Sequence, residues 1–438
     1  MTLEGRNDGL PEPRLEKARH VKYWTRCIKT FLPHQYTGND SNRMYLAFLM
    51  VSALDLLDAL YTACSEDERC GFIDWIYHCQ HPDGGFRMWP GTDFGERANA
   101  SNAKWDPANV PATYFALSSL LILGDDFKRV RRKQTLQWLR RVQRPDGSFG
   151  EILMDGRVEG GRDPRAGYCA AGVRHFLRGA NEDASHKYDG IEDINIDDLV
   201  RCIRICQVFD GGIADEPFHE PHAGYTFCSL GCLSLMDRLN TGKHPSTDES
   251  HGPSDVQEVI RWLVHRQTNL LDPDAALDSE FVGAKTAKLD PLEVDKLLMQ
   301  ASDAQAVSKP SSSSVFAINT ECAGMNGRTN KVADTCYAWW SGASLHMLGQ
   351  PNLYDQTAVR KYLLEKTQHP VLGGFGKFPG DLPDLYHSYL GLAALSLAGS
   401  DEVKEVDASM CVSKDVRARL PELWEAWDVE NRADDAST

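Results

Sequence analysis

Asp334-Thr-Cys336 and the distant His387 offer one carboxylate, one thiol and one imidazole. Those donor types hold zinc, and a set of three leaves a fourth position open for chemistry. Spacing alone leaves a plainer reading open, with Asp334 a helix cap, Cys336 a buried thiol and His387 a core side chain. Cations and phenols cluster in the same stretches of chain: His222 and Tyr225, then Arg328, Lys331 and Tyr337, then Lys377. A single loop arginine or lysine is ordinarily a solvated charge. Gathered at one point, this set would suit a small polyanion. Other clusters carry less. His219-Glu-Pro-His222 is one residue short of the zinc-protease helix pattern, and its proline opposes a helix there. Cys202/Cys206 and Cys228/Cys232 have the spacing of packed apolar positions. Asp125-Asp126 and Asp197-Asp198 lack the further acid of a diphosphate-metal motif, and no glycine-rich nucleotide loop is present.

The elements that must position these residues are announced by a repeat. Gln80-His-Pro-Asp-Gly-Gly-Phe86, Gln143-Arg-Pro-Asp-Gly-Ser-Phe149 and Gln207-Val-Phe-Asp-Gly-Gly-Ile213 are three copies of one turn. Weaker copies begin at Gln267 and Gln368, so successive copies lie 63, 64, 60 and 101 residues apart. A fixed period with glycine punctuation marks a repeat architecture. The long last interval predicts a flexible surface insertion at 270–322, which holds Lys309-Pro310 and the run Ser311 to Ser314.

Between the turns the apolar period is helical. Helices are expected over 14–31, over 41–63 with Ser41 as N-cap, and then in pairs at 109–124 with 127–142, 165–179 with 192–206, 223–240 with 254–266, 332–348 with 355–368, and 384–398 with 415–427. The 41–63 segment pairs with 66–79. In most pairs the first helix is rich in Ala, Gly, Leu and Ser and the second carries more charge, which reads as inner and outer. Six pairs predict an all-α fold, an α/α barrel in one domain at 18–427, with tails at 1–17 and 428–438. The inner helices would then all begin at one mouth, which suits a phosphate ligand. His222, Asp334 and His387 fall at the starts of three consecutive inner helices. Tyr168, Tyr225, Trp105, Trp339 and Trp340 are candidates to line the interior, which would hold a long apolar chain.

Composition bounds the function. The chain has 438 residues, 42% hydrophobic and 25% charged, enough for a large core. Lys plus Arg number 47 against 63 Asp plus Glu, and the net charge of -16 argues against tracking nucleic acid. The most apolar stretch, Leu46 to Leu60, is broken by Asp55 and Asp58, so no membrane span is expected. Twelve cysteines without framework spacing, and a polar N-terminus, suggest reduced thiols and a cytoplasmic protein.

The run Gly327-Arg-Thr-Asn-Lys-Val-Ala-Asp-Thr-Cys-Tyr-Ala-Trp-Trp340 resembles the zinc and diphosphate motif of protein prenyltransferase β subunits. Gly373-Gly-Phe-Gly-Lys-Phe-Pro-Gly with Asp384-Leu-Tyr-His387 matches its second half, and His222-Ala-Gly-Tyr-Thr-Phe-Cys228 a third element. Arg165-Ala-Gly-Tyr-Cys169 and Arg19-His-Val-Lys-Tyr-Trp24 also fit, so the resemblance runs from about residue 18 to 427 apart from the insertion. It implies one zinc per chain on Asp334, Cys336 and His387. It sets His222, Arg328, Lys331, Tyr337 and Lys377 on a diphosphate. Arg165, Tyr168, Tyr225, Cys228, Trp340 and Tyr45 would surround its lipid.

Within that family the chain looks most like the type I geranylgeranyl branch. The pointer is Lys377, where the farnesyl and Rab branches carry an aspartate; the lysine implies that magnesium is not required. The N-terminal helix and Leu123-Gly-Asp-Asp126 point the same way. The resemblance implies a heterodimer with a helical α subunit, with geranylgeranyl diphosphate and the C-terminal Cys-a-a-X segments of small GTPases as substrates. Tyr45 departs from the pattern: the farnesyl enzyme has a blocking tryptophan there and the type I enzyme a threonine. Asn109 and Pro111 also depart, replacing a His and an Ala of the peptide pocket. The farnesyl and Rab branches are the alternatives. A terpene cyclase would need an aspartate acid motif, and a non-enzymatic scaffold would have no use for three converging metal donors.

Overall fold

A computed structural model of the chain describes residues 13–36, 38–179, 191–239, 249–271 and 322–427. The N- and C-terminal ends, and nearly all of the expected insertion, lie outside them. The inner helices are α2 (Arg43–Leu56), α5 (Val110–Leu123), α7 (Pro164–Arg178), α9 (Ala223–Leu235), α11 (Thr335–Met347) and α13 (Leu385–Leu397). Each packs on the next and α13 packs back on α2, closing the ring. They are apolar nearly all round, as helices covered on both sides must be; α5 exposes little beyond Pro111 and Phe115. The outer helices α4 (Glu66–His78), α6 (Arg132–Arg141), α8 (Ile196–Ile205), α10 (Val256–Val264) and α12 (Gln356–Lys361, continued by a π-helical turn Tyr362–Thr367) bury one stripe each. In α8 that stripe is Ile196, Leu199, Val200 and Ile203.

The repeated glutamine is a staple between outer helices. Gln143 Nε2 donates to the Asn195 carbonyl (2.8 Å) and its Oε1 accepts from Asn195 N–H (2.7 Å), fixing the cap of α8. Gln80 does the same at Arg129 and Arg131, Gln207 at Asp255 and Gln267 at Asp355. The glycine that follows lies against the backbone of the stapled helix: a Cβ on Gly147 would overlap the Asp198 carbonyl, and its φ of 90° is in the left-handed region.

Gln368 corrects the expected pairing. Its side chain staples the Arg14 carbonyl and Glu16 N–H, at the start of α1 (Lys17–Lys29). Helix α1 is therefore the sixth outer helix, not an extra one. The segment expected to fill that place folds as α14 (Lys414–Arg417) and a helix over 420–427. It lies across the ends of α5 and α7, where Arg419 donates to the Leu121 carbonyl and Trp424 Nε1 to that of Phe176.

Four further expectations change. The 41–63 helix stops at Leu56, because the chain turns at Asp58 (φ 52°), and resumes as the short α3 (Leu60–Ala63). Ser41 is not its cap; it sits in a 3-10 turn, and Asn42 precedes the helix. Trp105 stands on a 3-10 turn, 61% exposed, outside the barrel, and Trp339 is wholly buried behind the inner ring. The insertion opens the fourth glycine turn itself. Gln267–Thr268 pairs antiparallel with Gly324–Met325, so Gln267 meets Met325 as Gln80 meets Phe86 and Gln143 meets Phe149.

Candidate active site

The inner helices begin at one mouth, each with a side chain suited to cap them except α2. Asn109, Asp163, His222, Asp334 and Asp384 accept hydrogen bonds from backbone N–H groups of the first turns they precede. Two of the expected site residues, His222 and Asp334, are thus helix caps, as the plainer reading of Asp334 has it.

Asp334, Cys336 and His387 are all buried, and their donor atoms lie within 4.8 Å of one another. Asp334 Oδ1 accepts from Cys336 N–H (2.8 Å) and lies 3.3 Å from His387 Nε2. Asp384 holds the other ring nitrogen: Oδ2 is 2.6 Å from Nδ1, while Oδ1 accepts from the His387 backbone (2.8 Å). This leaves Nε2 aimed at the centre of the cluster. Burial works against charge on His387, but its hydrogen bonds to the Asp334 and Asp384 carboxylates, and their charges, outweigh it and raise the imidazole pKa to about 9. Burial and the adjacent Asp334 push the Cys336 thiol well up. Burial also opposes ionisation of Asp334, yet His387 draws it below its ordinary value. A carboxylate, a thiol and an imidazole held this close suit zinc, whose binding would release the imidazole and thiol protons. Lys377 Nζ is 4.0 Å from Asp334 Oδ2, and its side chain is 48% exposed.

Beside this cluster His222 meets Tyr337, with Nε2 2.9 Å from the phenol oxygen. His222 Nδ1 accepts from Gly224 N–H, so the neutral ring carries its proton on Nε2 and donates it to Tyr337. Burial, then Arg328 and Arg165, lower the His222 pKa and favour that neutral form. The phenol's own hydrogen is left to donate elsewhere. Arg165 is clamped by Asp163 (2.7 and 3.0 Å) and lies over the Tyr225 ring.

Below the mouth a cavity of about 460 Å³ runs into the barrel. Tyr45, Tyr168, Tyr225, Cys228, Trp340, Arg165, His222 and Tyr337 line it, together with Tyr386. Tyr45 packs on Phe115 with ring centroids 4.8 Å apart. The far end is closed by a hairpin that pairs Val406–Asp407 with Val412–Ser413. Its carbonyls at Ser409, Met410 and Cys411 accept from the hydroxyls of Tyr168 (2.8 Å), Tyr114 (2.7 Å) and Tyr389. Arg328, Lys331 and Lys377 do not line this cavity: Arg328 pairs with Glu220 at 2.9 Å, and Lys331 faces a separate polar cavity. The sequence alone gives no role to Asp384, Tyr386 or the closing hairpin. A cap three residues ahead of a histidine is the signal that marks Asp384.

No helix among the described residues is long and apolar enough to cross a membrane. All twelve cysteines are free, nine of them buried.

Comparison with known proteins agrees with this geometry. The prenyltransferase alpha-alpha toroid domain matches residues 15–412. The geranylgeranyl transferase type-1 subunit beta of Arabidopsis thaliana is 28% identical over 404 residues, covering 88% of this chain and 86% of that protein. Its counterpart from Dictyostelium discoideum is 28% identical over 418 residues, covering 91% and 96%. The protein farnesyltransferase subunit beta of Schizosaccharomyces pombe is 25% identical, covering 87% and 78%. Among solved structures, Candida albicans protein geranylgeranyltransferase-I complexed with GGPP superposes with a TM-score of 0.71 at 26% identity, covering 94% of this chain and 99% of that one. A barrel of paired helices, a buried Asp-Cys-His cluster at its mouth and a family match spanning nearly the whole chain lead to one conclusion: the chain belongs to the prenyltransferase alpha-alpha toroid family.

Proposed function

We propose that this chain is the catalytic β subunit of a type I protein geranylgeranyltransferase. With a helical α subunit it transfers a C20 prenyl group from geranylgeranyl diphosphate to the cysteine thiol of C-terminal Cys-a-a-X proteins such as Rho-type small GTPases, in the cytoplasm. Residues 18–427 act as one catalytic domain. The observation that carries this reading is the meeting of Asp334, Cys336 and His387 at the rim of an aromatic-walled cavity, with His222 and Tyr337 alongside.

Asp334, Cys336 and His387 would hold one zinc ion, which supplies a thiolate nucleophile by deprotonating the incoming cysteine at neutral pH. Asp384 keeps the proton of His387 on Nδ1 and presents Nε2 to the site. The cavity receives the prenyl chain against Tyr45, Tyr168, Phe227 and Trp340 and keeps water from it. As the bond to C1 of the lipid breaks, negative charge grows on the departing diphosphate. His222 orients Tyr337, whose free O–H donates to that charge. The first-turn amides of the inner helices add positive potential, and Arg165, Arg328, Lys331 and Lys377 add full charges around the mouth. Lys377 does so without a second metal, so millimolar magnesium is not needed.

A farnesyl reading has one observation in its favour: Tyr45 is bulky and stands in the cavity wall against Phe115. The test is prenyl transfer to a peptide ending in Cys-a-a-Leu by the chain combined with its α partner. Wild type transfers the group and Cys336→Ala does not, although it still binds the lipid diphosphate. A Cys336→Ala protein with full zinc content and normal turnover would end this reading.

A further inference from the structure

The three tyrosines that hold the closing hairpin share one register. Tyr114, Tyr168 and Tyr389 are each the fifth residue of their helices, since α5 begins at Val110, α7 at Pro164 and α13 at Leu385. With a rise of ~1.5 Å per residue, all three stand about 6 Å below the helix starts and meet the hairpin at one depth. Their hydroxyls donate to the successive carbonyls of Ser409, Met410 and Cys411. A bare carbonyl facing an apolar chain is costly, and these bonds leave none of the three bare. What the hairpin presents to the cavity is the side chain of Cys411. The backbone there is left-handed (φ 56°), a conformation that a residue other than glycine keeps only where its surroundings fix it.

The surroundings do fix it. Asp407 Oδ1 accepts from Ser409 N–H (3.0 Å) and Met410 N–H (2.9 Å), and Arg417 holds its other oxygen. Asp55, buried in the last turn of α2, accepts from Lys404 Nζ (2.9 Å) and Ser413 Oγ (2.5 Å). The hairpin is thus tied to the barrel wall as well as to the tyrosines, and cannot yield as a loose loop would. The Tyr45 phenol stands between mouth and floor, within electrostatic reach of both Cys336 and Cys411. An apolar chain that enters at the mouth passes Tyr45 and ends against a fixed stop.

We infer that the tip of this hairpin is the stop against which the prenyl chain is measured: Cys411 meets the fourth isoprene unit of a C20 chain, and a C15 chain ends short of it. The inference rests on the prenyl-transfer reading above. It adds a length-selecting residue at the floor of the cavity to Tyr45 in its wall.

The cavity carries its own reporters, because Cys228 lines it near the mouth, beside Arg165, and Cys411 lines its floor. The wild-type chain with its α partner is labelled with methyl methanethiosulfonate, without peptide, in the absence of lipid and in saturating C15 or C20 diphosphate. Peptide masses report each thiol. Both lipids shield Cys228. The C20 lipid slows labelling of Cys411 by about tenfold or more, and the C15 lipid by less than about twofold. In a second arm, Cys411→Leu fills the floor and lowers the ratio of C20 to C15 turnover by about tenfold or more, with C15 turnover kept within about threefold. The labelling arm needs no substitution and decides the matter should the leucine protein not fold. Equal shielding of Cys411 by both lipids, or an unchanged ratio in a folded Cys411→Leu protein, would overturn the inference and leave prenyl transfer standing. An equal fall with both lipids would show that Cys411 only braces the floor, and would overturn it as well. Failure of both lipids to shield Cys228 would instead remove the prenyl-transfer reading, and this inference with it.

Discussion

Asp384→Asn probes the metal cluster without touching a ligand. The carboxylate does two things: Oδ1 caps α13 at the His387 N–H, and Oδ2 holds the His387 Nδ1 proton at 2.6 Å. An asparagine can do only one of them. If its oxygen keeps the cap, its NH2 faces Nδ1, which must then accept, and the proton moves to Nε2, where a metal ligand needs a lone pair. If its oxygen faces Nδ1 instead, the cap is lost at a cost of about 0.5–2 kcal/mol and the imidazole loses its charged partner. Partners of this kind are worth 10–100-fold in metal affinity, or about 1.4–2.8 kcal/mol. Zinc affinity measured against a competing chelator should fall by roughly that factor, while the thermal midpoint in saturating zinc moves little. Transfer at saturating zinc should recover most of its rate. Zinc affinity equal to wild type in a folded Asp384→Asn protein would refute the assignment of His387 Nε2 as a ligand.

Lys377→Asp should slow transfer sharply without magnesium and recover in part when magnesium is added, since the aspartate adds negative charge that only a second cation can turn to use; Lys377→Ala should recover less. Rates close to wild type in both would mark Lys377 as a solvated side chain. Tyr45→Thr should raise the use of C20 relative to C15 diphosphate in competition assays, because Tyr45 and Phe115 pinch the cavity wall; an unchanged ratio would take Tyr45 out of length selection. Gln143→Ala removes a buried staple with two hydrogen bonds to Asn195, and should cost about 1–3 kcal/mol in denaturant unfolding while sparing turnover; unaltered stability would contradict the staple.

Much of this architecture is legible in the sequence because its repeat unit is periodic on two scales. The helical period places Leu199, Val200 and Ile203 on one face, and Gln143 to Phe149 announces the turn that follows. Convergence of Asp334 and His387 then follows from helix order, since α11 and α13 are neighbours. What periodicity cannot show is which terminal segment closes a ring. Both 14–31 and 415–427 are amphipathic, and only the reach of Gln368 to Arg14 and Glu16 decides between them. Trp105 fails for a related reason: aromatic character says nothing of position once a residue lies on a turn outside the repeat. The hairpin that floors the cavity is invisible for a third. Its partners are hydroxyls of Tyr114, Tyr168 and Tyr389, on three different inner helices, bonded to backbone carbonyls that have no sequence identity at all.

The central claim is tested most directly by offering the purified chain and its α partner equal concentrations of C20 and C15 diphosphates, with a peptide ending in Cys-a-a-Leu and zinc but no magnesium. The account predicts a thioether product carrying mainly the C20 group. Predominant C15 transfer, or a strict need for magnesium, would contradict it.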